Sequence, residues 1–348
     1  MNISQLKITT YRNLAMAWQE HDLNCRVVHG LGDYPASVGR DLDLIVPADQ
    51  LKETAQCSSG LLEKAGFRTR LVSLPWGIQL YGFLEHGDDY LGLEFDFISR
   101  MQWANISLVS ELAADDGTYR VGDFVIDAWA SFAKSILILV LTGQIRRLGQ
   151  RLHELDDLLR CRSYLLIQLG DLFGNEMARE LLDHLEAGNL EWLADNRSYF
   201  LKKIMTRGLV KRPIDSLLNV WRWSAIEIVS FFPPRLAPLL ELSGSDHDIE
   251  KFVVELDDQL CQNGFFAGIR FQSDPPQGLA GWWWRHVHCR QEAFRLWIPC
   301  TGSEDGIPVG SKSTVVPALK GACGRVIDEF FRVSDFPASA GDVKQEVI

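Results

Sequence analysis

GLGDYPASVGRDLDLIV, residues 30 to 46, opens with a glycine-bounded turn and ends in a strict alternation of acidic and apolar residues. Alternation with period two is the signature of a half-buried strand. In such a strand residues two apart share a face. Asp41 and Asp43 therefore stand side by side, while Leu42 and Leu44 turn the other way, toward a core. Two adjacent carboxylates repel, and each raises the other's pKa unless a cation lies between them. Magnesium, or manganese in its place, suits such a pair, because it takes oxygen ligands and keeps waters that a phosphate can replace.

Working outward, residues 4 to 21 place Leu6, Ile8, Tyr11, Leu14 and Trp18 at helical spacing. CRVVHG follows, a short β-branched run that ends at Gly30. Beyond Pro47, residues 48 to 65 read as a second helix. FRTRLVSL, GIQLYGFLE and YLGLEFDFIS then read as three strands separated by turns. In the last of these, Glu94 and Asp96 share one face and Leu93, Phe95 and Phe97 the other. If this strand lies beside the first acidic one, a third carboxylate completes a site for two metals. One metal would activate an attacking oxygen and the other would hold a polyphosphate leaving group. The order of elements predicts an α+β unit, a small mixed sheet with helices on one face.

From Asp127 the texture changes. Apolar residues recur every three or four positions through IRRLGQRLHELDDLLRCRSYLLIQLGDLF and MARELLDHLEAGNLEWL, with charges between them. This predicts a helical region. FFPPRLAP at 231 to 238 is a proline-rich break. Three segments result: residues 1–126, 127–232 and 233–348.

The whole chain has 348 residues and a net charge of −11. That sign argues against a large nucleic-acid interface. The seven cysteines (25, 57, 161, 261, 289, 300 and 323) include no CxxC pair. They read as reduced thiols of a cytoplasmic protein. The apolar run Ile136 to Leu141 is far shorter than the roughly 20 residues a membrane-spanning helix needs. The cluster of Trp282, Trp283 and Trp284 with Arg285, His286 and His288 reads as a core strand or partner surface rather than a zinc site.

The segment from Gly30 to Asp43, with Asp96 on a later strand, resembles the polymerase-β-type nucleotidyltransferase superfamily. The resemblance implies a metal-dependent enzyme. It would move a nucleoside monophosphate from a nucleoside triphosphate to a hydroxyl of a small molecule, glycan precursor or protein. Asp41, Asp43 and Asp96 would be the catalytic carboxylates, with Glu94 a further metal ligand. Gly30, Leu31 and Gly32 would form the nucleotide-binding turn, joined by Arg40 and by Lys134 from the following helix. The family usually has Gly-Ser or Gly-Gly at the turn, where this chain has Gly30–Leu31.

HGLGDYPASVGRDLDLIV, LEFDFISRMQW and DAWASFAKSILILVLTGQIRR also resemble a bacterial group linked to polysaccharide biosynthesis. In that group the nucleotidyltransferase domain precedes a helical middle and a thymidylate-kinase-like domain. The corresponding phosphate loop here, LLELSGSDHDIEKFVVEL, has Ile249 in place of the second glycine and Glu250 in place of the lysine. A glutamate repels phosphate where a P-loop needs a cation. The third segment therefore reads as a degenerate, truncated P-loop-kinase-like region. GIPVGSKST, 306 to 314, reads as a turn. The competing expectation is a catalytically inactive scaffold or regulatory binding module.

Overall fold

A computed structural model describes residues 3–32, 34–36, 38–39, 41–74, 77–86, 89–103 and 106–211, together with four later strands. The chain divides into two compact units, the first built mainly from residues up to Val229.

The first unit is mixed α+β. Helix α1 (Ile3–Glu20) leads into β1 (Arg26–His29) and β2 (Asp41–Ile45). Helix α2 (Leu51–Lys64) follows, and then β3 (Arg68–Leu74), β4 (Gly77–His86) and β5 (Asp89–Ile98). Two short hairpins were not foreseen: β6 (Met101–Trp103) with β7 (Ile106–Val109), and β8 (Thr118–Val121) with β9 (Phe124–Asp127). Strands of three or four residues carry too few alternations to register as a pattern. Their consequence is nevertheless large, because β9 pairs in parallel with β1 and extends the sheet to seven strands. The order is β3-β4-β5-β2-β1-β9-β8.

One face of this sheet is covered by α1 and α2. Leu42, Leu44, Phe95 and Phe97 pack there with Tyr11, Leu14 and Trp18 of α1 and Leu62 of α2. Burial of these large apolar side chains contributes about 1.5–3 kcal/mol each. The opposite face changes character along the strands. Its acidic positions lie toward the start of β2, whereas Ile45 and Ile98, at the strand ends, belong to a second core with the later helices.

Those helices begin at Asp127, whose fully buried carboxylate caps α3 (Ala128–Phe132) by accepting from Ala130 N at 2.9 Å. It also accepts from Ala113 N at 2.8 Å and faces Arg26 at 3.7 Å. Satisfying orphan helix donors with an acidic cap stabilises and orients the helix start. After α3 the helix passes through one π-helical stretch, Ala133–Leu137, and continues as α4 (Ile138–Thr142). Then come α5 (Ile145–Arg151), α6 (Leu155–Leu158), α7 (Arg162–Phe173), α8 (Asn175–Glu186) and α9 (Leu190–Lys211). Trp129, Phe132, Ile136, Leu165 and Phe200 share one core with Val28 and Ile45 of the sheet. The boundary read at 126/127 thus falls at the seam between sheet and helices within one unit.

Beyond residue 229 the described residues are four strands: β10 (Leu239–Ser243), β11 (Arg270–Gln272), β12 (Arg295–Trp297) and β13 (Ser313–Pro317). They form an all-parallel sheet in the order β11-β12-β10-β13. Ser313 and Thr314, read from sequence as the end of a turn, instead begin β13. The segment 244–251, the tryptophan cluster at 282–284 and the break at 231–238 lie outside the described residues. No helix among the described residues is long and apolar enough to cross a membrane.

Candidate active site: a buried carboxylate cluster

Strands β2 and β5 are neighbours and run parallel, with Asp41 opposite Glu94 and Asp43 opposite Asp96. The two acidic pairs of the sequence therefore form one block of four on the face away from α1 and α2. Asp43 is only 2% exposed and Glu94 8%. Across β5 lies β4, which brings Gln79 opposite Asp96 and Tyr81 opposite Glu94. The Tyr81 hydroxyl donates to Gln79 Oε1 at 3.0 Å. Gln79 and Tyr81 also hydrogen-bond Asp96 and Glu94 respectively.

These partners do not satisfy the cluster. Asp43 Oδ2, Glu94 Oε2 and Asp96 Oδ1 are all buried without a hydrogen-bond partner. Burial pushes the Glu94 carboxyl up to about 8, and repulsion from Asp96, Asp41 and Asp43 adds to it. Asp96 is pushed up to about 6, again by burial first and then by Asp43. Unpaired buried carboxylates are costly and concentrate at functional sites.

Among the described residues, Lys134 places a cation against the cluster. Its Nζ lies 2.5 Å from Asp43 Oδ1. The π-helical stretch places it there, and such irregularities in helices recur at functional sites.

A second cationic group was missed in the sequence. A bulge between Val27 and His29 shifts the register of β1, so that His29 rather than Val28 stands opposite Asp43. Bulges commonly re-aim a side chain in this way. Arg151 Nη1, from the end of α5, lies 2.8 Å from His29 Nε2 and 3.1 Å from Nδ1. Glu154 faces both, 3.7 Å from His29 Nδ1 and 3.4 Å from Arg151. Burial, and then the Arg151 charge, hold the His29 imidazole below its ordinary pKa. Only the bulge brings His29 to the acidic face, and no residue pattern announces it.

The turn between β1 and β2 is shaped by glycine. Gly30 has φ +104°, and a Cβ there would overlap the Asp41 carbonyl oxygen. Gly39 N donates to Gly30 O at 2.8 Å, and Lys7 Nζ donates to Gly39 O at 2.6 Å. Gly32 also has a positive φ, of 58°. Leu31 is buried in the core beneath α1. Its side chain is a packing group, so only the backbone of this residue is left to meet a ligand. Arg40 lies outside the described residues.

The donor set fits a hard divalent cation in its chemistry, since carboxylate oxygens are the ligands magnesium and manganese take and three of them are buried and unpartnered. The cluster is not closed around one, however. Among the described residues no three His, Cys, Asp or Glu side chains are gathered into a group that could hold a metal.

No family model matches the chain, and neither a curated protein nor a solved structure matches it.

Proposed function

We propose that the first unit is a metal-dependent nucleotidyltransferase, acting on a nucleoside triphosphate and a hydroxyl acceptor. The observation that carries this reading is the block Asp41, Asp43, Glu94 and Asp96 on two parallel strands, with buried oxygens that lack partners. Buried carboxylate oxygens without partners are costly, and such groups concentrate at functional sites. Asp41, Asp43 and Asp96 would hold magnesium or manganese, with Glu94 as a further ligand. A bound divalent cation would supply Lewis-acid stabilisation of the charge on the reacting phosphate.

The rest of the chemistry belongs to the chain. The acceptor oxygen attacks the α-phosphorus and forms the new P–O bond. The bond to the bridging oxygen breaks, and pyrophosphate leaves with its electron pair. The acceptor's proton needs a base. Asp96 or Glu94, which share the acidic face of β5, would take it. Lys134 and Arg151 supply positive charge on the same side as His29 and Asp43, where a polyphosphate would need it. Gly30 and Gly32 hold the turn in positive-φ conformations, and the backbone N–H groups of such a turn are the kind that meet a phosphate.

Thermal unfolding with each ribonucleoside triphosphate and dTTP, with and without magnesium or manganese, tests this. A ligand at a hundred times its dissociation constant stabilises by about 2.7 kcal/mol. The expected result is a metal-dependent rise in Tm that disappears in the double variant Asp41→Ala/Asp43→Ala.

One observation favours a second reading. Lys134 already neutralises Asp43, and among the described residues no metal group is ready-made. An inactive binding module of the same ancestry would look like this. The parallel sheet of the second unit, whose β10 runs into a segment lacking the P-loop lysine, accords with loss of one ancestral activity. No Tm shift with any nucleotide would select that reading.

A further inference from the structure

We propose that Lys134 is the resident counter-ion of the carboxylate cluster and that an entering divalent cation displaces its ammonium from Asp43. The inference rests on the metal-dependent reading above and gives it an order of events.

Three features lead to it. The ammonium meets one oxygen of Asp43, at 2.5 Å, while the other oxygen of that carboxylate and one each of Glu94 and Asp96 stay buried and unpartnered. The ammonium therefore engages one carboxylate of the four and leaves oxygens of three of them unpartnered. Further, the described residues contain no closed metal group, although the donor types are right for one. The ammonium holds an Asp43 oxygen that such a group would use. A divalent cation and an ammonium sharing Asp43 would repel strongly at that range.

Finally, Lys134 has somewhere to go. Its side chain is 35% exposed on a four-carbon stem, and it springs from the π-helical stretch Ala133–Leu137. Asp43, at 2% exposure, has no such freedom. Displacement thus moves the lysine and leaves the aspartate in place. The freed ammonium stands beside the site only once the metal is loaded. Metal binding then prepares the site for an anionic substrate, and the metal-free chain keeps its best cation engaged with itself. The coupling is reciprocal, so Lys134 must weaken metal binding as much as metal weakens the Lys134–Asp43 contact.

The test uses the full chain, Mn2+ as the probe and no nucleotide. Mn2+ affinity is measured by electron paramagnetic resonance for wild type and Lys134→Met. In parallel, acylation of Lys134 in wild type is followed by peptide mass spectrometry with and without Mn2+. A hydrogen bond to a charged group shifts an equilibrium by about tenfold or more. Lys134→Met should therefore bind Mn2+ about tenfold tighter or better, and acylation of Lys134 should rise when Mn2+ is added. Equal or weaker Mn2+ binding in a folded Lys134→Met chain overturns the proposal. So does unchanged acylation in wild type, a readout that needs no variant to fold. Wild type that transfers nucleotides yet fails either test loses this inference alone. Wild type that binds no Mn2+ loses both this inference and the metal-dependent reading.

Discussion

Replacing Glu94 by Gln should flatten the pH dependence of stability in the metal-free protein. The Glu94 carboxyl is 8% exposed and faces Asp96, Asp41 and Asp43, and it titrates near 8 instead of its ordinary 4.5. Between those two values the folded chain holds a proton that the unfolded chain has released. Raising the pH across that window therefore draws the equilibrium toward the unfolded state. Below about 4.5 both states are protonated and there is no cost, and above about 8 both are ionised and the cost is complete. At about 1.36 kcal/mol per pH unit the full effect is on the order of 4–5 kcal/mol. Asp96, raised to about 6, contributes in the lower part of the same window. Because Asp96 repels Glu94, the two contributions do not simply add. The assay is urea unfolding in EDTA at intervals from about pH 5 to pH 9, on wild type and Glu94→Gln. The stability of the variant relative to wild type should climb with pH by several kcal/mol. Parallel curves would refute the reasoning, because they would mean that Glu94 is solvated or already paired.

Other consequences follow from the same geometry. Asp43→Asn should abolish turnover while changing metal-free Tm only slightly, since it removes one member of a repelling block and at the same time weakens the contact with Lys134; a large loss of Tm would make Asp43 a structural residue. Gly30→Ala should destabilise by about 3 kcal/mol or more in chemical denaturation, because φ +104° and contact with the Asp41 carbonyl both oppose a Cβ. Asp127→Ala removes two backbone hydrogen bonds at a helix start and should cost about 2–3 kcal/mol. Its effect on nucleotide-dependent turnover should exceed that of an equally destabilising core change such as Leu181→Ala, because Asp127 sets the helix that carries Lys134.

The carboxylate block was legible because its signal is local. Asp41 and Asp43 alternate with leucines, Glu94 and Asp96 with phenylalanines, and each strand announces its own two faces. That the strands are neighbours was an assumption from residue order, and the parallel register of β2 with β5 supplies the fact. Leu31 reads in the sequence as part of a ligand-binding turn, but its side chain belongs to the core. His29, Arg151 and Glu154 were illegible for a different reason. Their meeting depends on a one-residue bulge and on the path of helices more than a hundred residues later. The Lys134–Asp43 contact likewise joins positions that no spacing rule connects. The short strands β8 and β9 were overlooked, yet they end in Asp127, the cap from which the lysine-bearing helix starts.

The parallel pairing of β2 and β5 also constrains how the chain can misfold. Side chains alternate between faces, so a slip of one residue would exchange the two faces of a strand. For β5 it would swing Glu94 and Asp96 in among Tyr11, Leu14 and Trp18, and turn Phe95 and Phe97 away from them. Neither half of that exchange is tolerable, since the first buries charge in hydrocarbon and the second strips aromatic rings of their contacts. The four acids that make the native sheet less stable than it could be also penalise its nearest wrong alignment more heavily still. Replacing them all with leucine would give a tighter sheet with less reason to choose one register over another.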